Sequence, residues 1–86
     1  MPDHYISSIL VSAQPAEAAA VADAIAALPD TEVALVERGR IIAVLEGASR
    51  GEIGDRLTRI ALMDGVLAAN LVFEHAEPLE SLGEPA

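Results

Sequence analysis

Two stretches with helical spacing are each flanked by strand-like runs, and that order leaves very few folds open to the chain. Tyr5–Ala13 (YISSILVSA) is β-rich, with Ile9, Val11 and Ala13 on one parity and Ser8, Leu10 and Ser12 on the other. Gln14-Pro15 ends this run, and proline suits a first helical turn, where its missing N–H costs nothing. Ala16–Leu28 carries Val21, Ile25 and Leu28 at i, i+4 and i+7, with Ala18 and Ala22 widening the stripe, so it predicts a helix. Pro29 stops it by pushing the preceding residue out of the helical region.

Thr31–Glu37 alternates again, with Val33 and Leu35 facing one way and Glu32, Ala34 and Val36 the other. Arg38-Gly39 reads as a tight turn into Arg40–Glu46, making a hairpin. The second strand of that hairpin is apolar on both sides, which suits a central position. Ile42 and Val44 are assigned to the helix side, and Ile41, Ala43 and Leu45 to the other. Ser49 through Glu52 fits a capping box, and the helix it opens runs to about Met63, with Ile53, Leu57, Ile60 and Ala61 as its buried stripe. Asp64-Gly65 turns into a last strand within Gly65–His75 (GVLAANLVFEH). Its parity sends Leu67, Ala69, Leu71 and Phe73 toward the helices, and Ala68, Asn70, Val72 and Glu74 to the opposite face.

The order βαββαβ is that of the split βαβ, or ferredoxin-like, α+β sandwich. Right-handed crossovers place both helices on one face of an antiparallel sheet of expected order 4-1-3-2. The 86 residues make a single domain, ordered over about 4–75, with an acidic, flexible tail over 76–86. No element remains to cover the second face. Ser8, Leu10, Ser12, Glu32, Ala34, Val36, Ala43, Asn70, Val72 and Glu74 are expected there. Contiguous apolar surface left open in this way marks an interaction site.

Other uses of such a fold are excluded residue by residue. The chain has no cysteine, so it has no disulfide frame, thiolate metal site or cysteine nucleophile. His4 and His75 stand apart, near strand ends, and no spacing suggests a metal site. The serines lack a nucleophile motif, and the glycines do not spell a phosphate loop. RNA-binding sheets stack bases on aromatic residues, where this chain has serine, leucine and alanine. The net charge of −9 repels phosphate backbones and anionic membranes, and attracts a cationic partner. No basic leader or membrane-length apolar run is visible, and the chain is expected to be cytoplasmic. Two readings remain. One is a protein- or peptide-binding module. The other is a small-ligand-binding regulatory domain that self-associates through its sheet edges.

Four stretches stand out together: Ser8–Ala13 (SILVSA), Leu28-Pro29 followed by Glu32-Val33-Ala34, Gly39–Glu46 (GRIIAVLE), and Gly65-Val66-Leu67 running into Leu71-Val72-Phe73. In combination they resemble the NapD family, the cytoplasmic chaperones of the periplasmic nitrate reductase. The alanine-rich first helix departs from the family's pattern. The resemblance implies a protein that is not an enzyme and carries no cofactor. It implies binding to the twin-arginine (Tat) signal peptide of the reductase's catalytic subunit, delaying export until the molybdenum cofactor and iron–sulfur cluster are loaded. The open-face residues become the candidate peptide site on that reading, and the protein is expected as a monomer or weak homodimer.

Overall fold

The computed structural model describes residues 3–78. The elements are β1 (Asp3–Ala13), a 3-10 turn (Pro15–Glu17), α1 (Ala18–Ala26), β2 (Thr31–Glu37), β3 (Arg40–Gly47), α2 (Arg50–Ala61) and β4 (Val66–Pro78). The strands form one antiparallel sheet in the order β2-β3-β1-β4, the expected order read from the other edge. β4 continues through Ala76–Pro78, which the sequence reading gave to the tail; the remainder of that tail, 79–86, lies outside the described residues.

Local chemistry sets the boundaries. The Ser49 hydroxyl accepts the Glu52 N–H at 3.1 Å, and the Glu52 carboxylate reaches back to the Ala48 N–H, one residue before the cap itself. Arg38 and Gly39 have φ of 51° and 80°, the two positive values of a two-residue hairpin turn whose twist matches the strands. A side chain on Gly39 would also meet the Ala13 carbonyl oxygen at 2.6 Å. Glycine therefore lets the hairpin close against the end of β1, where the Ala13 N–H donates to the Gly39 carbonyl at 2.7 Å.

The core lies between sheet and helices. Ile9, Val11 and Ala13 of β1 and Ile41, Ala43 and Leu45 of β3 meet Ala18, Val21, Ala22 and Ile25 of α1 and Ile53 and Ile60 of α2. α1 is shorter than the expected Ala16–Leu28, because a 3-10 turn precedes it and Leu28 donates to Ile25 rather than continuing the helix. Two assignments on β3 are reversed. Ile41, Ala43 and Leu45 face the helices and are fully buried, whereas Ile42 and Val44 lie on the open side and are half-buried. In a strand apolar on both sides hydrophobicity does not select a face; pairing with β1 does, setting Ile41 opposite Val11 and Ala43 opposite Ile9.

Irregularities re-aim the edge strands. β2 slips by one residue between Val33 and Leu35, so Val33 lies opposite Ala43 but Leu35 lies opposite Ile42. Leu35 thus joins the open face, and Val36, opposite Ile41, turns to the helix side. β4 slips twice against β1, at Leu67 and at Val72. The second slip sets Phe73 opposite Ser8 and Glu74 opposite Ser7, reversing both expected directions. Each correction has the same cause, since one extra residue in a strand exchanges the faces of everything beyond it.

Candidate functional site

The face that no described residue covers is built in rows across the sheet. At the level of Leu10, the register brings Leu35, Ile42, Leu10 and Asn70 side by side on β2, β3, β1 and β4. One step toward the start of β1, the row is Glu32, Val44, Ser8 and Phe73. A step further stand Glu46, Ile6 and His75, and at the opposite end Glu37, Arg40, Ser12 and Ala68. The result is an apolar floor with charged side chains toward both ends of the strands.

Ser8, Leu10, Ser12, Glu32 and Asn70 stand on this face, as their parity predicts. Ala34 and Val72 are the extra residues at two of the three slips, at opposite edges of the sheet. Three expected members do not belong. Ala43 is fully buried under the helices, Val36 has turned to their side, and Glu74 pairs there with Arg50 at the start of α2. The expected set lacks Ile6, although it shares the parity of Ser8 and Leu10, and it lacks Leu35, Ile42, Val44, Glu46 and Phe73. For β3 a signal was present: Arg40 and Glu46, one at each end, share the parity of Ile42 and Val44, and charge marks the solvated face. For Phe73 nothing in the sequence announces the slip at Val72.

Geometry separates the face into parts. Leu10, Leu35 and Ile42 form the floor of a concavity of about 520 Å³, rimmed by Glu37, Arg38 and Arg40. Leu35 and Phe73 are 46% and 58% exposed, high for such large apolar groups and consistent with a face awaiting a partner. The Phe73 ring stacks on His75 with centroids 6.4 Å apart and planes 13° from parallel. At the far end His4 Nε2 lies 2.7 Å from Glu46 Oε1, fixing that carboxylate on the surface. Glu46 is also held through its backbone, because its carbonyl accepts Arg56 Nη1 at 2.7 Å from the helix side.

Chemically, such a face can bind, through its apolar floor and the charged side chains at its ends. Its hydroxyls belong to Ser8 and Ser12, and among the described residues no three histidine or carboxylate side chains gather as a metal site would require. No helix among the described residues is long and apolar enough to cross a membrane.

A split βαβ sandwich with one face left open, apolar in the middle and charged at its margins, is a binding module. The family described as NapD protein matches residues 4–78, nearly the whole described chain. The chaperone NapD of Paracoccus pantotrophus is 49% identical over 76 residues, covering 88% of this chain and 68% of that protein. The chain therefore belongs to the NapD family of chaperones. Its fold is that of the solution structure of the E. coli Tat proofreading chaperone protein NapD, with a TM-score of 0.78 at 24% identity, covering 96% of this chain and 88% of that one.

Proposed function

We propose that this chain is a cytoplasmic chaperone that binds the twin-arginine signal peptide of the periplasmic nitrate reductase catalytic subunit and holds back its export until the molybdenum cofactor and iron–sulfur cluster are loaded. The observation that carries the reading is the uncovered sheet face of a NapD-family chain, where an apolar floor of Ile6, Leu10, Leu35, Ile42, Val44 and Phe73 adjoins Glu32 and Glu46. A twin-arginine leader offers a cationic start followed by an apolar stretch. Ser8, Ser12 and Asn70 keep parts of the floor low and polar, so a helix can approach the sheet closely. Ala34 and Val72 border it at the edges.

Magnitudes favour a joint role for the two chemistries. Burying a few hundred Å² of apolar surface at about 25 cal/mol per Å² contributes several kcal/mol. Loss of translational and rotational freedom costs about 4–15 kcal/mol, so apolar burial alone leaves binding weak. Contacts between glutamates and guanidinium groups add affinity and speed encounter with an anionic protein.

Titration calorimetry with an Arg-Arg leader peptide, beside the same peptide carrying Lys-Lys, tests the reading. Binding of the first, with weaker binding of the second, is expected, because lysine lacks the bidentate fork. No heat with the Arg-Arg peptide overturns it. A mass that rises with protein concentration, without peptide binding, would point instead to self-association through the sheet edges.

A further inference from the structure

The open face has two unlike ends. Glu32 and Glu46 stand on neighbouring strands at one of them: Glu32 lies opposite Val44, and Glu46 is two residues further along β3 on the same face. Side chains in that diagonal relation lie about 7–8 Å apart, a span that two adjacent cationic side chains can bridge. His4 holds one oxygen of Glu46, and the other has no partner among the described residues. At the opposite end Arg38 and Arg40 rim the Leu10, Leu35 and Ile42 concavity, with Glu37 as the only acidic residue lining it among the described residues. One end thus sets two carboxylates beside His4 and His75, and the other sets two guanidinium groups against one carboxylate.

We propose that this asymmetry fixes the direction of the bound leader. The inference rests on the reading that this face binds such a peptide. The paired arginines dock at Glu32 and Glu46, and the apolar stretch runs over Val44 and Ser8 into the Leu10, Leu35 and Ile42 concavity. The reverse orientation would bring the cationic start against Arg38 and Arg40 and leave both carboxylates facing apolar side chains. Two penalties, like-charge approach and desolvation without a partner, oppose it together. The dimensions fit. From the row of Ile6 to the row of Ser12 is six residues of strand, about 20 Å. A helix of about 13 residues covers the same distance.

The absence of cysteine from the chain permits a clean test, because a thiol-reactive label goes only onto the peptide. A nitroxide is placed at the start of the leader in one sample and at the end of its apolar stretch in another, and amide broadening is read in the isotopically labelled, full-length protein. The first label is expected to broaden Glu32, Val44 and Glu46, and the second Leu10, Arg40 and Ile42. The exchanged pattern, or equal broadening of both groups by either label, overturns the direction while leaving the binding function standing. Failure of the peptide to bind overturns both. In a companion measurement, Glu32→Gln with Glu46→Gln is expected to weaken the Arg-Arg leader on the order of tenfold and to shrink its advantage over the Lys-Lys peptide. An undiminished advantage places the arginines elsewhere and also overturns the proposal.

Discussion

Glu74 Oε1 lies 3.4 Å from Arg50 Nε on the helix side of the sheet, and the same guanidinium sits over the Tyr5 ring, 5.8 Å from its centroid. A residue that parity assigns to the binding face therefore links the far reach of β4 to the start of α2. Arg50 is largely exposed, so the ion pair is screened and its contribution is about 0–1 kcal/mol. Glu74→Gln is expected to lower stability by less than about 1 kcal/mol in denaturant titration and to leave leader affinity within twofold or so. A loss of affinity as large as that of Glu46→Gln would put Glu74 back on the binding face.

Phe73 is the largest apolar side chain on the open face and more than half exposed, with His75 stacked beside it. Little core is lost on its removal, but a bound helix loses a broad contact. Phe73→Ala is expected to weaken the leader by about tenfold, in the range where buried aromatic contacts dominate an interface. Its unfolding free energy should fall by no more than about 1 kcal/mol, because the ring is already largely in water. Calorimetry and urea unfolding of the same variant separate the two effects. A large stability loss with unchanged affinity would contradict the register at Val72.

The Ser7 side chain is fully buried, facing the helices between Leu45 and Glu74, and its Oγ has no hydrogen-bond partner among the described residues. A buried hydroxyl without a partner carries a desolvation cost of about 1–3 kcal/mol. Ser7→Ala removes that cost and leaves only a small void. Stability is expected to hold or to rise by about 1 kcal/mol. A clear loss in chemical denaturation would show that the hydroxyl donates to a neighbouring carbonyl.

Arg56, 9% exposed, points its guanidinium at main-chain oxygens: Glu46 O at 2.7 Å and Asp30 O at 3.4 Å. It joins the start of β2 to the end of β3 from inside the domain. Arg56→Leu is expected to cost about 2–3 kcal/mol, since it removes a charge-assisted bond and leaves a carbonyl poorly satisfied. Arg56→Lys should cost less, keeping the charge without the fork. Because Glu46 presents its carboxylate to the open face while Arg56 holds its carbonyl, the leucine variant should also weaken the leader, by a smaller factor than Glu46→Gln. Thermal unfolding and calorimetry check both effects.

Much of the fold can be read in the residues. Proline at 15 and 29, the capping box at Ser49 and Glu52, and the hairpin turn at Arg38-Gly39 punctuate the chain, and the resulting order admits one sheet topology. On β1 parity holds: Ser8, Leu10 and Ser12 alternate with Ile9, Val11 and Ala13, and the strand lies as that alternation requires. The uncovered face was likewise foreseeable, because two helices on one side of a four-stranded sheet leave the other side bare.

The membership of that face was only partly legible. On β3, Ile41 and Ile42 are the same residue type, and only pairing with β1 tells which is buried. On β2 and β4 the slips at Ala34, Leu67 and Val72 follow from how each edge strand fits the twisted sheet beside it. Alternation is a local property with a period of two, so it assigns faces correctly only while pairing stays in step. Local chemistry determined the elements, their order and the existence of an open face. The long-range register, set by how each strand pairs with its neighbour and where it slips, decided that Leu35 and Phe73 stand on that face and that Val36, Ala43 and Glu74 do not.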